Sequence, residues 1–262
     1  MQARETRKMT QRRSVIAGLA ALPLIGLLPR GMAFVQAAAL GGDTLATASG
    51  DVTIHPIHHA SLIIAWGDQV VYVDPVGGPS LYQDLPSPTA ILITHAHGDH
   101  FDPPTLEGIV GDATILTTDQ VLGKLPAGLK DKASAAANGD SVDFAGIKLE
   151  VVPAYNTTQD RLQYHPKGVG NGYILNIGDK RVYVAGDTED IPEMRALTNI
   201  DMAFIPMNLP YTMDINHAAD AIKAFKPKIV YPYHYQGTKV EDLPALVGDA
   251  AEVRLRDWYK ES

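Results

Sequence analysis

Cysteine is absent from all 262 residues of the sequence. A disulfide framework is therefore excluded, and any metal ion must be held by histidine and carboxylate side chains. That ligand set suits zinc, manganese or iron. The G-x-S-x-G motif of serine hydrolases is also missing. Nothing in the sequence therefore indicates a covalent enzyme nucleophile.

Basic residues are scarce relative to acidic ones, with 22 Lys and Arg against 30 Asp and Glu, for a net charge of −8. Residues 1–39 contain six of the basic residues and one acidic residue, so that without them 22 falls to 16, 30 falls to 29, and the net charge is −13. Phosphate backbones are bound by clustered Lys and Arg. We therefore expect no nucleic-acid partner.

A long hydrophobic run is also lacking, because the apolar stretch at 15–28 is too short, and too interrupted by Gly and Pro, to span a bilayer comfortably. A basic head precedes it, and small residues follow at the positions that a signal peptidase recognises if cleavage comes after Ala37 or Ala39. The segment TQRRSVI at 10–16 resembles the twin-arginine consensus. An ordinary secretory signal or an uncleaved anchor is the alternative.

We therefore predict a twin-arginine-type signal peptide at 1–39 and one folded domain at 40–262. The expected partner is the twin-arginine export machinery, which carries folded proteins and would suit a chain that has to load a metal beforehand. The mature protein would be periplasmic or secreted, without stable membrane insertion. An oligomer remains possible.

Nine short β-rich runs, the first at 61–66 and the last at 228–233, alternate with helical signals along the rest of the chain, and the Ala-rich segment at 133–137 is expected to be a loop. Two pairs of runs, at 61–74 and 172–185, predict hairpins because Gly-Asp supplies the left-handed backbone of a tight turn. Helices are predicted after Asp102 and Ile191 and at Asn216–Phe225. This order, in two roughly equivalent halves, predicts an α/β fold in which helices cover the outside of sheets.

Three of the 9 histidines fall within six residues, in the segment HAHGDH that follows an apolar strand. His95 and His97 leave the strand on the same side, and Asp99 and His100 follow one tight turn later. Imidazole and carboxylate groups are the ligands that borderline cations prefer, and two pairs suggest two ions. The alternative is a polar turn that happens to be rich in histidine.

Metal ligands rarely come from one loop, so further ligands are expected at the ends of other strands. Asp187 follows the strand that ends in AGD, and His234 follows the strand KIVYPY. Asp187 could bridge two ions, and His234 could complete the shell of the second.

The segments HAHGDH, AGDT and PYHY, in that order, resemble the motifs of the metallo-β-lactamase fold superfamily. More narrowly, HHAS, YVDP and VPAYN resemble the branch of ascorbate-phosphate lactonase-like, metal-dependent hydrolases, and the likeness covers most of residues 52–236. The resemblance implies an αββα four-layer sandwich with its metals at one edge of the sheets. It also implies a first ion on His95 and His97 and a second on Asp99, His100 and His234, with Asp187 between them.

The chain departs from the family at one ligand. Many members have a histidine for the first ion where this chain reads Tyr155-Asn156. His165 could replace it, Asn156 could contribute a weak oxygen, or the ligand could be missing. One or two ions, expected to be zinc with manganese or iron possible, are therefore predicted.

Several other residues have two interpretations. His59 either approaches the metal cleft or is a hydrogen-bonded histidine at a strand end, and Asp74 either orients a ligand histidine or caps a turn. Tyr155 and Tyr211 are predicted to shape the pocket. Lys167 either receives an anionic group or is a solvated surface residue.

The predicted chemistry is hydrolysis, because a bound dication lowers the pKa of its water to near 7 and so provides a metal-bound hydroxide. Asp99 or Asp187 would orient it and take its proton, which makes them the predicted catalytic residues. The substrate would be a small ester, lactone, amide or phosphodiester. The alternatives are an iron-dependent redox enzyme on the same fold and a non-catalytic metal-binding protein.

Overall fold

The computed structural model describes residues 40–259, and the predicted signal peptide lies outside them. The fourteen strands of this part form two sheets of seven. Within the same residues, no helix combines the length and the apolar character that crossing a bilayer would require.

Each sheet follows the order of the chain. The first contains β1 (Asp43–Thr47), β2 (Gly50–His58), β3 (Ser61–Trp66), β4 (Gln69–Val73), β5 (Ala90–Leu92), β6 (Thr114–Thr117) and β7 (Ala133–Ala135). The second contains β8 (Ser141–Phe144), β9 (Ile147–Ala154), β10 (Gly170–Ile177), β11 (Lys180–Val184), β12 (Met202–Pro206), β13 (Ile229–Tyr233) and β14 (Glu252–Val253). In both, the first four strands are antiparallel and the others parallel. The two halves therefore repeat one topology, as the sequence predicted.

Both predicted hairpins are present. Gly67 joins β3 to β4 with φ 53°, and Gly178 joins β10 to β11 with φ 59°. Each is followed by an aspartate, so the two-residue loops have the left-handed backbone that the Gly-Asp pair predicted.

Helices cover the outer faces of the two sheets. They are α1 (Pro103–Ile109), α2 (Asp119–Lys124), α3 (Ala127–Lys130), α4 (Pro192–Arg195), α5 (Ile215–Phe225) and α6 (Leu243–Val247), with 3₁₀ turns at Pro79–Tyr82, Gln159–Arg161, Val240–Asp242 and Gly248–Ala250. One buried apolar cluster fills the space between the sheets, and two others lie between each sheet and its helices. This is the αββα four-layer sandwich that the resemblance implied.

The sequence prediction missed strands mainly at the edges of the sheets. Ala133–Ala137 was expected to be a loop, but its first three residues form β7. Strand β8 was missed as well. Both are edge strands of only three and four residues that pair with one neighbour each, too short to give a clear periodic signal in the sequence.

The topology determines where a site can lie. Because β4 and β5 are parallel, as are β11, β12 and β13, their carboxyl ends meet at one edge of each sheet. Strand β2 also ends there, since His58 pairs with Ser61 at the start of β3. This edge therefore collects the loops that follow six strands.

Candidate metal centre

The loop between β5 and α1 carries four of the predicted ligands. It turns tightly, because the backbone amides of His100 and Phe101 both donate to the carbonyl of His97, at 3.0 and 2.8 Å. His95 and His100 are buried, whereas the side chain of Asp99 is 49% exposed. One short loop therefore presents both buried and accessible ligand groups.

The structure brings all seven predicted ligands to the same edge. The possible ligand atoms form three groups, and the atoms within each group lie within 4.8 Å of one another. The groups are His95, His97 and His165; His59, Asp99, His100 and His234; and His95, His100 and Asp187. They come from the loops after β2, β5, β11 and β13 and from the loop between β9 and β10. The polar-turn alternative does not explain this convergence of distant segments.

Asp187 lies between the first two groups. Its Oδ2 atom is 3.3 Å from His165 Nε2, 3.2 Å from His234 Nε2 and 4.0 Å from His95 Nε2. Its Oδ1 atom is 3.2 Å from Nε2 of His100. Ligand atoms around a tetrahedral zinc ion are about 3.3 Å apart, given zinc–nitrogen bonds of about 2.0–2.1 Å. The spacing around Asp187 therefore suits ligands arranged around cations.

Several of these atoms are buried without a hydrogen-bond partner. They are Nε2 of His100, His165 and His234 and Oδ1 of Asp187. Buried polar atoms are normally paired, because each unpaired group costs about 1–3 kcal/mol. Their clustering, together with the nitrogen and carboxylate donor set, fits one or two borderline cations.

Asp74 and Thr94 orient the ligand histidines. The fully buried carboxylate of Asp74 accepts hydrogen bonds of 2.7 Å from the backbone amide and the hydroxyl of Thr94 and from Nδ1 of His100. The Thr94 hydroxyl also lies 3.0 Å from Nδ1 of His95. A proton on Nδ1 leaves Nε2 of His100 free to bind a metal. Asp74 thus makes the contact predicted for an orienting carboxylate.

Left-handed backbone is concentrated at this edge. His59, Asp74 and His234 have φ values of 55°, 43° and 47°. The two histidines are joined through the main chain, since the His234 amide donates to the His59 carbonyl at 2.9 Å. Non-glycine residues adopt this conformation at a cost of about 1–3 kcal/mol, which is typical of functional sites.

His165 lies in one group with His95 and His97, as a replacement for the family's histidine would. Its Nδ1 atom lies 3.1 Å from the Tyr211 carbonyl, which leaves Nε2 directed at Asp187. Asn156 supports this arrangement through its amide nitrogen, while its Oδ1 atom is buried without a hydrogen-bond partner, so the prediction that it contributes a weak oxygen ligand stays open. Its amide nitrogen donates to the carbonyls of Tyr211 and Arg161, at 2.7 and 3.0 Å.

The charges of the cluster are coupled. Although burial opposes its charged form, the carboxylates of Asp187 and Asp74 raise the pKa of His100 well above the usual range. Burial likewise opposes a charged His234, but Asp187 and Asp99 raise its pKa to about 9. Burial favours a neutral Asp187, yet His234 and His100 hold its pKa well below normal. Cations bound here would replace the protons that now balance these carboxylates.

Glu189, two residues after Asp187, was not singled out by the sequence analysis. The buried carboxylate accepts 2.7 Å hydrogen bonds from the backbone amides of Thr157 and Thr158 and pairs with Arg161 at 2.9 Å. Burial acts to raise its pKa, but the hydrogen bonds from Thr157 and Thr158 lower it overall. An acidic residue beside a predicted ligand was the only signal in the sequence.

Two cavities open next to the cluster. One, of about 270 Å³, is lined by His97, Asp99, Tyr164, His165, Asp187 and Tyr211. The other, of about 180 Å³, is lined by His95, His97, Gln120, Gln163, Tyr164, His165, Pro166, Val169 and Gly170. A larger cavity of about 510 Å³, between Tyr72 and Gly108, has no histidine or carboxylate in its wall. The cavities beside the cluster are therefore the candidate substrate pocket.

The predictions for pocket residues divide. Tyr211 lines the pocket as expected, with its ring 5.1 Å from that of Tyr164. The expectation for Tyr155 is wrong, because this residue is buried and its hydroxyl donates to Glu193. Lys167 also pairs with Glu193, at 2.9 Å, outside the walls of both cavities. The surface interpretation of Lys167 therefore fits better.

Known proteins share this architecture. The family described as "Beta-lactamase superfamily domain" matches residues 53–234. The UPF0173 metal-dependent hydrolase of Pyrococcus horikoshii is 29% identical over 216 residues, covering 77% of this chain and 95% of the relative. The corresponding protein of Thermococcus onnurineus is 30% identical over 222 residues, with the same two coverages. The crystal structure of a candidate metal-dependent hydrolase from Parabacteroides distasonis is 44% identical, covers 83% of this chain and 98% of that one, and superposes with a TM-score of 0.76.

Proposed function

The chain belongs to the beta-lactamase superfamily and to its UPF0173 metal-dependent hydrolases, and we propose that it is an exported enzyme that hydrolyses a small, uncharged ester, lactone or amide. The observation that carries this proposal is the convergence of eight histidine and aspartate side chains, with unpartnered buried atoms, beside a cavity. Such a site suits metal-assisted hydrolysis.

Two ion positions account for the donor groups. His95, His97 and His165 would hold the first ion, Asp99, His100 and His234 the second, and Asp187 would lie between them. Zinc suits these ligands, and manganese or iron is possible. When bound, such an ion polarises the reacting carbonyl and makes hydroxide available near neutral pH.

The two aspartates would have different roles. Asp187 is 3% exposed and its oxygens contact histidines of both groups, so it would hold the cluster together. Asp99 is half-exposed at the cavity, and only its Oδ2 atom contacts His59 and His234. Its Oδ1 atom makes no hydrogen bond with the described residues, which leaves it available to orient the attacking water and accept its proton.

The cavity walls favour an uncharged substrate. Neither cavity beside the cluster has a lysine or arginine in its described wall. The walls offer instead the amides of Gln120 and Gln163 and the paired rings of Tyr164 and Tyr211. A phosphodiester would bring an anion to a strongly acidic protein whose pocket wall offers no lysine or arginine, so that the bound ions alone would have to balance its charge. Esters, lactones and amides need no such balance.

Export is the part of the proposal that rests on the sequence. The twin-arginine-like motif and the apolar run lie within residues 1–39, and the family match begins later, at residue 53. Replacing both Arg12 and Arg13 by lysine should leave the precursor in the cytoplasmic fraction of cells. Unchanged export of this variant would refute a twin-arginine route.

The test of the enzymatic proposal combines metal analysis with activity. The protein is purified without chelator, its metal content is measured, and a phenyl ester, a lactone and bis(p-nitrophenyl) phosphate are offered as substrates. We expect up to two ions per chain and turnover of the ester or the lactone. Removing the metal should abolish turnover, and zinc or manganese should restore it.

Variants identify the residues responsible. Asp187→Asn and His100→Ala should each abolish turnover while the protein remains folded by circular dichroism. His217→Ala is the matched control, since this exposed histidine on α5 pairs only with Asp214. Turnover that survives both changes at the cluster would refute the assignment. Redox-active iron without hydrolysis would support the redox alternative, and one ion without turnover would support a binding protein.

A further inference from the structure

A chain of hydrogen-bonding groups connects the end of the described structure to the metal centre. The hydroxyl of Tyr259 lies 2.9 Å from Nδ1 of His59, and Nε2 of His59 lies 3.1 Å from Oδ2 of Asp99. Tyr259 is outside the family match, which ends at residue 234. The contact therefore joins an additional segment of this chain to a ligand of the superfamily's site.

The segment that carries Tyr259 is held in place by independent contacts. The indole of Trp258 is fully buried in the core between the sheets, and the backbone carbonyl of Trp258 accepts a 3.0 Å hydrogen bond from the His59 backbone amide. The Tyr235 hydroxyl donates to the carbonyl of Arg256 at 3.0 Å. The backbone next to Tyr259 is therefore held in place without the Tyr259 hydroxyl.

The hydrogen bonds from Tyr259 through His59 to Asp99 have a preferred direction. The Tyr259 oxygen accepts a 2.9 Å hydrogen bond from the Gln236 amide, and the phenol keeps its own proton at neutral pH. It can therefore donate that proton to Nδ1 of His59. An imidazole that accepts at Nδ1 carries its proton on Nε2, where it donates to the Asp99 carboxylate.

The opposite arrangement, in which His59 carries its proton on Nδ1, is unfavourable. With the proton on Nδ1, the Nε2 lone pair of His59 would face a carboxylate oxygen at 3.1 Å with no proton between them. Repulsion between the two acceptors opposes that arrangement unless His59 itself binds an ion. The direction of the hydrogen bond between Tyr259 and His59 thus distinguishes a His59 that holds Asp99 from a His59 that is a ligand.

We propose that Tyr259 is a positioning residue, which fixes the Nε2-protonated form of His59 and thereby holds the Asp99 carboxylate in the orientation that the metal centre requires. His59 is a positioning residue in the same chain and is not a metal ligand. The backbone supports this role, because His59 is fixed at φ 55° and its ring lies 3.9 Å, between centroids, from that of His234. The effect on metal binding rests on the proposed metal centre. The position of the His59 proton on Nε2 is a property of the metal-free protein as well.

The test compares two variants of the full chain that each lose one hydroxyl. Tyr259→Phe removes the group that contacts His59. Tyr235→Phe is the matched control, because it removes a hydroxyl that binds the same segment, at Arg256, without contacting His59. Imidazole nitrogens are observed by ¹⁵N–¹H correlation NMR in metal-free and zinc-loaded protein, and zinc affinity is measured by competition with a chromophoric chelator.

We expect the wild type and Tyr235→Phe to carry the His59 proton on Nε2 with and without zinc. In Tyr259→Phe, the His59 proton should no longer be confined to Nε2. The more weakly bound zinc ion should bind about tenfold less tightly, as is typical when an outer contact to a metal ligand is removed. Wild-type affinity and proton order in Tyr259→Phe would overturn the proposal, and so would an equal loss in Tyr235→Phe. Loss of the Nε2 proton on zinc binding would show that His59 is a ligand. If the wild type binds no metal, the proposed function fails, while NMR of the metal-free protein still decides the proton order.

Discussion

Replacing Asp74 by asparagine should weaken metal binding without removing any predicted ligand. The Asp74 carboxylate accepts from the Thr94 amide, the Thr94 hydroxyl and Nδ1 of His100. An asparagine has only one acceptor oxygen. If its NH₂ group faces His100, the imidazole must accept at Nδ1, which places the proton on Nε2 and blocks the ligand atom. If the NH₂ group faces the Thr94 amide, two donors oppose each other.

Either orientation loses at least one hydrogen bond to a charged group, which is worth about 1.5–3 kcal/mol. Since about 1.4 kcal/mol corresponds to tenfold in an equilibrium constant, the dissociation constant of the affected ion should rise roughly tenfold to a hundredfold. Losses of that size are typical when the orienting partner of a metal-bound histidine is removed.

The assay is a titration of metal-free protein with zinc against a chromophoric chelator, with circular dichroism to verify folding. Asp102→Asn is the matched control, because this carboxylate ends the same loop but accepts from the Thr105 hydroxyl. Wild-type zinc affinity in Asp74→Asn, or an equal loss in Asp102→Asn, would refute the reasoning.

Three further predictions concern the surroundings of the cluster. Gly186→Ala should lower the free energy of unfolding by at least about 1–2 kcal/mol, measured in urea, because φ is 66° and a Cβ atom would lie 2.7 Å from the Asn171 carbonyl oxygen; unchanged stability would contradict it. Glu189→Gln should lower the free energy of unfolding by about 2 kcal/mol at pH 7. Because the folded-state pKa of Glu189 is lowered, the difference between the two proteins should shrink as the pH falls through that pKa. A difference that is independent of pH would count against this role of the Glu189 carboxylate. Asn156→Ala should raise KM more than it lowers kcat, since Asn156 holds the carbonyl of the pocket residue Tyr211; a selective loss of kcat would argue against a positioning role.

Much of the fold was predictable because its signals are local. Alternating or continuous apolar runs predicted nine strands of the two sheets, and the Gly-Asp pairs predicted both hairpins with the correct backbone. The edge strands β7 and β8 were missed because they are only three and four residues long, and each is stabilised by pairing with a neighbouring strand. The apparent equivalence of the two halves correctly indicated the repeated topology.

The sequence by itself determined the ligand loop at 95–100, because residues this close along the chain cannot separate in space, and the strand-end positions of Asp187 and His234. Only the tertiary structure decided that His165 lies beside His95 and His97, that Asp74 contacts His100, and that Tyr259 reaches His59. Those contacts join segments up to 200 residues apart. They depend on how two sheets pack against each other and on which loops meet at their shared edge. No local pattern of residues specifies which distant segments come into contact.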